Sequence, residues 1–386
     1  MDASLKDRLT AGAIAFRGYN TTNLGRTPEL LAHPAYGPIV ERHLREASEI
    51  VADTLRVPTD LVDRVQQRHE STLATFAEDI ALILSVERAQ IEILAEQFET
   101  RHDTAAVMTG YSLGEIAALI VGGSLPFADA LIPLVSLAGD CAALAEDTTM
   151  GVVFSRGPEL PPGMIERLCL ELNYEGRGVI AVSSYLSPNT VLVMGQGDTL
   201  DRLKVRVTEM LGKNVNLRKN EHQWPPLHTP ILWQRAVPNR AAAMMHTMAG
   251  GLRAPQPPVL SLVTGKASYT DLNCRELIAR WLDHPQRLWD VIYELLSMGI
   301  ETVVHIGPDP NLIPATFKRL SDNVTAQMSG SRWGQWGLRA AGGIHYRSWL
   351  RGLLRSRVAL LRAPFVRQIV VEDWLLEQKP LRTSLV

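Results

Sequence analysis

The stretch that decides the fold is Ala105-Ala106-Val107-Met108-Thr109-Gly110-Tyr111-Ser112-Leu113-Gly114-Glu115. Its first five residues form a short apolar run typical of a buried strand, and a helical pattern follows from Leu113 to Val121. The residues between them read G-x-S-x-G, which is the pattern of a tight strand-to-helix turn with a serine at its apex. A strand, a tight turn and a helix in this order predict an α/β fold.

This turn would present Ser112 as a nucleophile. Gly110 and Gly114 at its two flanks let the strand and the helix approach closely. The helix N-terminus supplies N–H groups and partial positive charge to an oxyanion, and we expect the N–H of Leu113 to be a donor. A chance match in a glycine-rich turn is the alternative, but the flanking strand and helix favour the nucleophile.

A serine nucleophile needs a base, and the chain holds ten histidines. His228 lies in the proline-bounded loop Trp224-Pro225-Pro226-Leu227-His228-Thr229-Pro230, and such a rigid loop would hold an imidazole in place. The residues alone leave His222 and His284 open as alternatives.

Periodicity places further elements around this turn. Helical spacing predicts helices over residues 37–55, 72–98, 165–172, 200–211 and 289–297. Short β-like runs predict strands over residues 152–154, 179–182, 191–194, 259–263 and 302–306. Helices and strands alternate closely between residues 151 and 215, which indicates a small α+β subdomain inside the α/β chain.

Composition excludes several classes of protein. The chain has 386 residues, 46% of them hydrophobic, and a formal net charge of −2, so it is neither disordered nor nucleic-acid-binding by composition. Its three cysteines form no CxxC and cannot build a disulfide framework. We find no phosphate loop, no dinucleotide fingerprint and no metal-ligand spacing. No signal peptide or membrane span is recognisable, so we expect a cytoplasmic protein.

Charge is concentrated near the C-terminus. Residues 321–386 hold ten Lys and Arg against four acids, and four of the eight Trp. Residues 344–361 predict a basic amphipathic helix, with Arg347, Arg351 and Arg355 on one side. Packing on the acidic body is one interpretation; docking of an acidic partner is a second, and a membrane surface is a third, less favoured one.

Several stretches together resemble malonyl-CoA:acyl-carrier-protein transacylases and the acyltransferase domains of polyketide synthases. Gly110-Tyr111-Ser112-Leu113-Gly114-Glu115 resembles the Gly-His-Ser-Leu-Gly-Glu turn of that family. Pro226-Leu227-His228-Thr229 resembles its Pro-Phe-His-Ser loop, and Ser187-Pro188-Asn189-Thr190-Val191 its Ser-Pro-Gly-Gln-Val turn. Val263-Thr264-Gly265 and His305-Ile306-Gly307-Pro308 resemble its late strand ends. The match covers about residues 10–320.

The resemblance implies an α/β-hydrolase-like core with an inserted ferredoxin-like subdomain. The core would comprise residues 1–148 and 216–320, and the subdomain residues 149–215. Residues 321–386 would form a basic, amphipathic, helical C-terminal extension.

The family's chemistry implies roles for individual residues. Ser112 would attack an acyl-CoA thioester with His228 as base, and the phosphopantetheine thiol of an acyl carrier protein would then take the acyl group. The family orients its histidine by a backbone carbonyl, which corresponds here to that of Arg287. Its second oxyanion residue is a glutamine, which corresponds here to Tyr19. Acyl-CoA and an acyl carrier protein are the expected partners, with no bound cofactor and no metal.

The chain also departs from the family at the acyl pocket. In a gapless alignment from the turn, the arginine that clamps a malonyl carboxylate falls on Ala138, which cannot form that ion pair. An uncharged acyl group is the simplest inference, and a substitute cation from Arg156 or Arg218 is the alternative. Tyr111, Ser184 and Leu227 replace a His, an Asn and a Phe of the family, which indicates an unusual pocket.

Three functions are therefore weighed. The favoured one is an acyltransferase that loads an acyl carrier protein in fatty-acid or polyketide synthesis. The second is a thioester hydrolase on the same scaffold, and the third is a non-catalytic partner within a synthase complex. The Ser112 and His228 pair favours the first two, whereas the lost arginine and glutamine favour the third.

Overall fold

The structure is a computed structural model that describes residues 4–156, 159–161, 163–328 and 357–380. Its strands are β1 Gly12–Phe16, β2 Val107–Gly110, β3 Thr148–Ser155, β4 Ile180–Ser187, β5 Thr190–Gln196, β6 Val215–Gln223, β7 Val259–Ser261, β8 Lys266–Ala267, β9 Thr302–Ile306 and β10 Arg367–Val370. Its α-helices are α1 Leu5–Leu9, α2 Thr27–Ala32, α3 Gly37–Leu55, α4 Leu61–Gln66, α5 Phe76–Phe98, α6 Leu113–Val121, α7 Phe127–Ala145, α8 Met164–Tyr174, α9 Thr199–Leu211, α10 Val237–His246, α11 Cys274–Asp283, α12 Leu288–Ser297, α13 Leu312–Met328 and α14 Val371–Glu377. Short 3-10 segments occur at Leu73–Thr75, His102–Thr104, Pro230–Arg235 and Val358–Phe365. The predicted α/β fold is confirmed.

A six-stranded sheet forms the centre of the molecule, in the order β10-β9-β1-β2-β7-β8. Its strand pairs are parallel except for β7 with β8. β1 and β2 are buried along their whole length, as is typical of a parallel sheet covered on both faces. Their register pairs Phe16 with Gly110 and with Ile306, so the carboxyl ends of three strands meet at one edge. Ligand sites of parallel sheets lie at such edges.

A second sheet has four antiparallel strands in the order β4-β5-β3-β6. Helices α8 and α9 pack against it around a separate apolar core that includes Val153, Leu168 and Leu203. This sheet begins at Thr148 and ends at Gln223, eight residues beyond the boundary expected at residue 215. The polar, exposed sequence of β6 after Leu217 hides the strand from a hydrophobicity pattern.

The described part of the C-terminal segment belongs to the core, which corrects its expected separation at residue 320. Helix α13 runs across that boundary, and β10 adds a parallel strand beside β9. Glu372 of α14 accepts the N–H groups of Arg26 and Asp309, both at 2.8 Å. Of the predicted basic helix over 344–361, residues 344–356 lie outside the described residues, and Val358–Phe365 forms a 3-10 segment instead.

Among the described helices, α7 alone is long and apolar enough to cross a membrane, by length and composition only. Half of it is buried in the molecule, and the core helix of a soluble protein passes the same test. Its apolar face packs against α5 and borders a cavity beside Ser112.

Candidate active site

Ser112 occupies a strained turn between β2 and α6. Its backbone has φ 52° and ψ −118°, a conformation that is costly for a residue with a side chain. A Cβ on Gly110 would lie 2.1 Å from the carbonyl carbon and oxygen of Gly114, and a Cβ on Gly114 would lie 2.3 Å from the carbonyl oxygen of Phe16. Both glycines are thus required by close backbone contacts, and they raise the serine hydroxyl above the sheet edge.

The structure brings Ser112 and His228 together. Ser112 Oγ lies 2.7 Å from Nε2 of His228. On the other side of the ring, Nδ1–H donates to the carbonyl oxygen of Trp281 at 2.7 Å. A carbonyl only accepts, so this contact fixes the proton on Nδ1 and leaves Nε2 free to accept from the serine hydroxyl. The backbone N–H of His228 donates to the carbonyl oxygen of Leu282 at 2.6 Å, which fixes the histidine loop against the end of α11.

The carbonyl that orients His228 is not that of Arg287, which corrects the expectation from the sequence. The Arg287 carbonyl accepts the N–H groups of Asp290 and Val291, at 3.1 and 3.2 Å, because it opens the first turn of α12. Its guanidinium pairs with Asp290. Trp281, in the last turn of α11, supplies the carbonyl instead.

Trp281 contacts both members of the pair. Its indole N–H donates to the carbonyl oxygen of Ser112 at 3.1 Å, and its ring meets the His228 ring edge-on, with centroids 5.0 Å apart. The side chain is 2% exposed. Sequence reasoning did not find this residue, because a backbone carbonyl has no residue-type signature.

Burial sets the protonation of His228. The ring is 4% exposed, and desolvation lowers its pKa to about 4, although the hydrogen bond to the Trp281 carbonyl acts in the opposite direction. The imidazole is therefore neutral at pH 7 and able to accept a proton. The two sequence alternatives lie elsewhere: His222 is exposed on β6, and His284 contacts Asp283.

Two cavities meet at Ser112. The entrance cavity, about 210 Å³, is lined by Ser112, His228 and Tyr111, by residues 16–20 at and after the end of β1, and by residues 310–314 at and before the start of α13. The apolar cavity, about 70 Å³, lies between α5, α6, α7, α10 and α11. Ser112 borders both, together with Tyr19, Phe76 and Leu227. Tyr19 and Phe76 pack edge-to-face with centroids 4.9 Å apart, so they form a wall between the two cavities.

Two residues expected at the acyl pocket do not line either cavity. Ala138 is buried in α7 but turned away, and its neighbour Leu137 faces the apolar cavity. Successive side chains on a helix differ in direction by about 100°. Leu137 can therefore face the apolar cavity while Ala138, the next residue, does not. Ser184 is fully buried, and its hydroxyl donates to the carbonyl oxygen of Gln286 at 3.1 Å. Its neighbour Ser183 lines the entrance cavity instead.

The loop that follows β1, which includes residues 17–20, packs against the serine turn. A Cβ on Gly18 would lie 2.5 Å from the carbonyl oxygen of Tyr111 and 3.3 Å from Cβ of Ser112. The guanidinium of Arg17 holds this loop through the carbonyl oxygens of Gly18 and Pro308 and the side chain of Asn23. The backbone of Tyr19, one residue on, therefore lies beside the nucleophile.

Neither alternative cation reaches the two cavities at Ser112. Arg218 lines a third cavity, between the second sheet and α13, and Arg156 borders none of the three. Arg17 borders the entrance cavity, but its guanidinium is bound to the loop carbonyls described above. No group of His, Cys, Asp and Glu side chains with metal-site geometry occurs among the described residues.

One further histidine lies in the wall of the entrance cavity. His305 on β9 is fully buried, and its Nε2–H donates to Oε1 of Gln368 at 2.6 Å. Burial lowers the pKa of this imidazole to about 4, so it is neutral as well. Gln368 lies on β10, and nothing in the basic composition of that segment pointed to a contact with the site.

No family model matches the chain. It is 28% identical over 280 residues to a naringenin synthase of Pestalotiopsis fici, covering 72% of this chain and 10% of that protein. It is 26% identical over 321 residues to a malonyl CoA-acyl carrier protein transacylase of Salmonella typhimurium, covering 82% of this chain and 95% of that one. The chain thus spans only a tenth of the synthase but almost all of the transacylase.

Solved structures agree in fold. FabD from Acinetobacter baumannii has a TM-score of 0.63 at 20% identity, over 79% of this chain and 89% of that one. A malonyl-transacylase solved in complex with its type II polyketide-synthase acyl-carrier protein has a TM-score of 0.62 at 22% identity, over 79% and 91%. The resemblance expected from the sequence is confirmed: the chain is similar to these transacylases, which are acyltransferases.

Proposed function

We propose that the chain is an acyl-CoA:acyl-carrier-protein S-acyltransferase that works through an acyl-enzyme on Ser112. The observation that carries this proposal is the contact of 2.7 Å between Ser112 Oγ and Nε2 of His228 at a strained strand-to-helix turn. A neutral, buried and oriented histidine beside a serine is the arrangement that nucleophilic acyl transfer needs.

The first half-reaction forms the acyl-enzyme. Ser112 Oγ attacks the thioester carbonyl of acyl-CoA while its proton passes to Nε2 of His228. The oxyanion accepts hydrogen bonds from the N–H of Leu113, at the start of α6, and from the backbone N–H of Tyr19 in the covering loop. The C–S bond then breaks, the CoA sulfur takes the proton from His228, and Ser112 keeps the acyl group as an ester.

The second half-reaction transfers the acyl group to the carrier protein. The phosphopantetheine thiol attacks the Ser112 ester and gives its proton to His228. Collapse of the oxyanion breaks the ester bond, and Ser112 Oγ recovers that proton. The entrance cavity, which opens beside both residues, is the side from which we expect either thiol to arrive.

The acyl group is proposed to be uncharged. Among the residues that the structure describes, no Lys, Arg or His lines the apolar cavity beside Ser112, and Leu137 faces it from α7. A malonyl carboxylate in that space would lose its hydration without an ion-pair partner, which is costly.

Two details of the architecture belong to the same proposal. We interpret the second sheet with α8 and α9 as a ferredoxin-like subdomain inserted into an α/β-hydrolase-like core; the βαββαβ order and the antiparallel pairing support this. We also expect the chain to act in the cytoplasm, where CoA thioesters and carrier proteins meet.

Intact-mass spectrometry tests the function. The protein is mixed with malonyl-, acetyl-, propionyl- or octanoyl-CoA, and Ser112→Ala and His228→Ala are treated in parallel. We expect a mass gain of one acyl group that is absent from Ser112→Ala and that disappears when a holo acyl carrier protein is added.

The other outcomes identify the alternatives. An adduct that water removes as fast as the carrier protein does would indicate a thioester hydrolase. No adduct and no free CoA with any donor would favour a non-catalytic partner and contradict the proposal.

A further inference from the structure

A buried arginine holds the loop that follows β1. Arg17 is 4% exposed, and its Nε–H donates to the carbonyl oxygen of Gly18 at 2.7 Å. Its two terminal nitrogens donate to the carbonyl oxygen of Pro308 and, at 2.9 Å, to Oδ1 of Asn23. None of these acceptors is a carboxylate, and Arg17 forms no ion pair among the described residues. Burying a cation is costly, so this use of a guanidinium indicates that the geometry of the loop matters.

The contact with Gly18 fixes the orientation of one peptide unit. The peptide between Gly18 and Tyr19 is trans, so its C=O and its N–H point in opposite directions. The C=O is held by the guanidinium, which lies towards β9, as its contact with Pro308 shows. Ser112 follows β2, on the other side of β1. The Tyr19 N–H is therefore directed to the side of the sheet edge that holds the serine.

This N–H has no hydrogen-bond partner among the described residues, and neither has the N–H of Leu113 at the start of α6. The loop also lies against the nucleophile, since a Cβ on Gly18 would be 3.3 Å from Cβ of Ser112. Most N–H groups inside proteins are paired. Two unpaired ones beside a serine nucleophile are the arrangement that stabilises an oxyanion.

We propose that Arg17 is a positioning residue for the oxyanion: by holding the Gly18 carbonyl, its guanidinium directs the Tyr19 N–H at the oxygen that becomes negative when Ser112 attacks the thioester. This inference rests on the proposed function, because that oxyanion forms only during acyl transfer to or from Ser112. Since Arg17 acts through the loop backbone on a charge that the ground state lacks, its removal should lower the maximal rate and leave binding of the donor unchanged.

The test compares three variants of the full chain. Arg17→Met keeps the length of the side chain without its donors, and Arg17→Lys keeps the charge without the planar fork. Arg202→Met is the matched control, because the guanidinium of Arg202 holds another loop carbonyl, that of Arg177, beside the second sheet. For each protein, acylation by the fastest of the four CoA donors gives a maximal rate and a half-saturating concentration.

A trifluoromethyl-ketone analogue of acetyl-CoA separates positioning from a general loss of structure. Oγ of Ser112 adds to its ketone carbon, the carbonyl electron pair becomes an oxyanion, and the serine proton passes to Nε2 of His228. The adduct therefore contains the charge that the Tyr19 N–H would stabilise, whereas CoA itself does not. Isothermal titration calorimetry measures the affinity of each protein for both compounds.

We expect Arg17→Met to lower the maximal rate at least about 30-fold and Arg17→Lys to lower it about tenfold. Affinity for the ketone should fall by the same factors, while the half-saturating concentration and the affinity for CoA stay within about twofold. Arg202→Met should change none of these quantities. Circular dichroism checks folding, and if Arg17→Met does not fold, Arg17→Lys carries the comparison.

Two results overturn the inference and are distinguishable. An unchanged maximal rate in the Arg17 variants, or a slower rate with unchanged affinity for the ketone, would refute the positioning role while the proposed function stands. No acylation of the unchanged chain by any donor would refute both.

Discussion

The indole N–H of Trp281 donates a hydrogen bond to the carbonyl oxygen of Ser112 at 3.1 Å. The same residue accepts Nδ1–H of His228 through its own carbonyl at 2.7 Å. The side chain and the backbone of one buried residue, Trp281, therefore fix the positions of the nucleophile and the base relative to each other. This coupling matters because a misplacement of about 1 Å between reacting groups can lower a rate by about 100-fold.

Replacing Trp281 with Phe tests this coupling. The variant keeps the backbone carbonyl and most of the ring contact but loses the indole N–H. A buried hydrogen bond of this kind is worth about 1 kcal/mol, so we expect acylation to slow roughly fivefold to tenfold. The measurement is the rate of acyl-enzyme formation, with circular dichroism as the check on folding.

Trp233→Phe is the matched control, because it removes an indole hydrogen bond to Asp283 at the surface. Its acylation rate should equal that of the unchanged chain. Equal rates in all three proteins would show that the Trp281 indole does not position the serine.

The pH dependence of acylation is the second prediction. His228 must be neutral to accept the serine proton, and burial lowers its pKa to about 4. We expect the rate to stay level from pH 8 down to about pH 5. A histidine with the usual pKa would be only about 3% neutral at pH 5, so the two cases separate clearly.

The free energy of unfolding, unlike the expected rate, does change over this pH range and must be monitored. Because the folded state disfavours the protonated ring, His228 contributes a loss of unfolding free energy as pH falls from 6.5 towards 4. Far-ultraviolet circular dichroism at each pH identifies any loss of folded protein. An inflection of the acylation rate near pH 6.5 in folded protein would contradict the assignment of a buried, neutral base.

The α/β fold and the serine turn follow from local sequence, and the finer site does not. Gly110, Ser112 and Gly114 have types and spacings that few other structures require, so a sequence pattern finds them. The carbonyl of Trp281 has no such signature, because every residue has a carbonyl. Which one faces His228 depends on how α11 packs against the histidine loop.

Two other differences between the sequence-based predictions and the structure have equally specific causes. Leu137 and Ala138 are neighbours in sequence but point in different directions on α7, so counting from the serine alone could not decide which one meets the substrate. β10 was missed because Arg367–Val370 is short and lies in a segment whose basic composition indicated a separate extension. Its pairing with β9 is a long-range contact that local patterns do not contain.

Installing a cation in the apolar cavity is the third prediction. Leu137→Arg would direct a guanidinium towards an acyl group on Ser112, where it pairs with a malonyl carboxylate through two parallel hydrogen bonds. We expect the ratio of malonyl to octanoyl acylation to rise at least about tenfold, equivalent to ~1.4 kcal/mol. The measurement is a competition between the two donors followed by intact mass.

Ala138→Arg and Ser136→Arg are the comparisons on the same helix. Ala138 is buried away from the cavity and Ser136 is more exposed, so neither arginine should promote malonyl acylation. A malonyl adduct on Ala138→Arg, with none on Leu137→Arg, would restore the position inferred from the sequence and contradict the cavity geometry.

The glycines of the serine turn give the fourth prediction, which concerns stability. In Gly110→Ala the new Cβ would lie 2.1 Å from backbone atoms of Gly114, and neither partner can move without separating β2 from α6. We expect the free energy of unfolding to fall by more than about 3 kcal/mol, with complete loss of acylation.

Gly139→Ala is the matched control, because Gly139 is an exposed residue in α7 with no atom within 4 Å of the new methyl group. There the substitution removes the backbone freedom of a helical glycine, so unfolding should cost about 0.5–1 kcal/mol more and acylation should be unchanged. Urea denaturation followed by circular dichroism measures both variants. If Gly110→Ala were as stable and as active as Gly139→Ala, the close contact between strand and helix that presents Ser112 would not exist in solution.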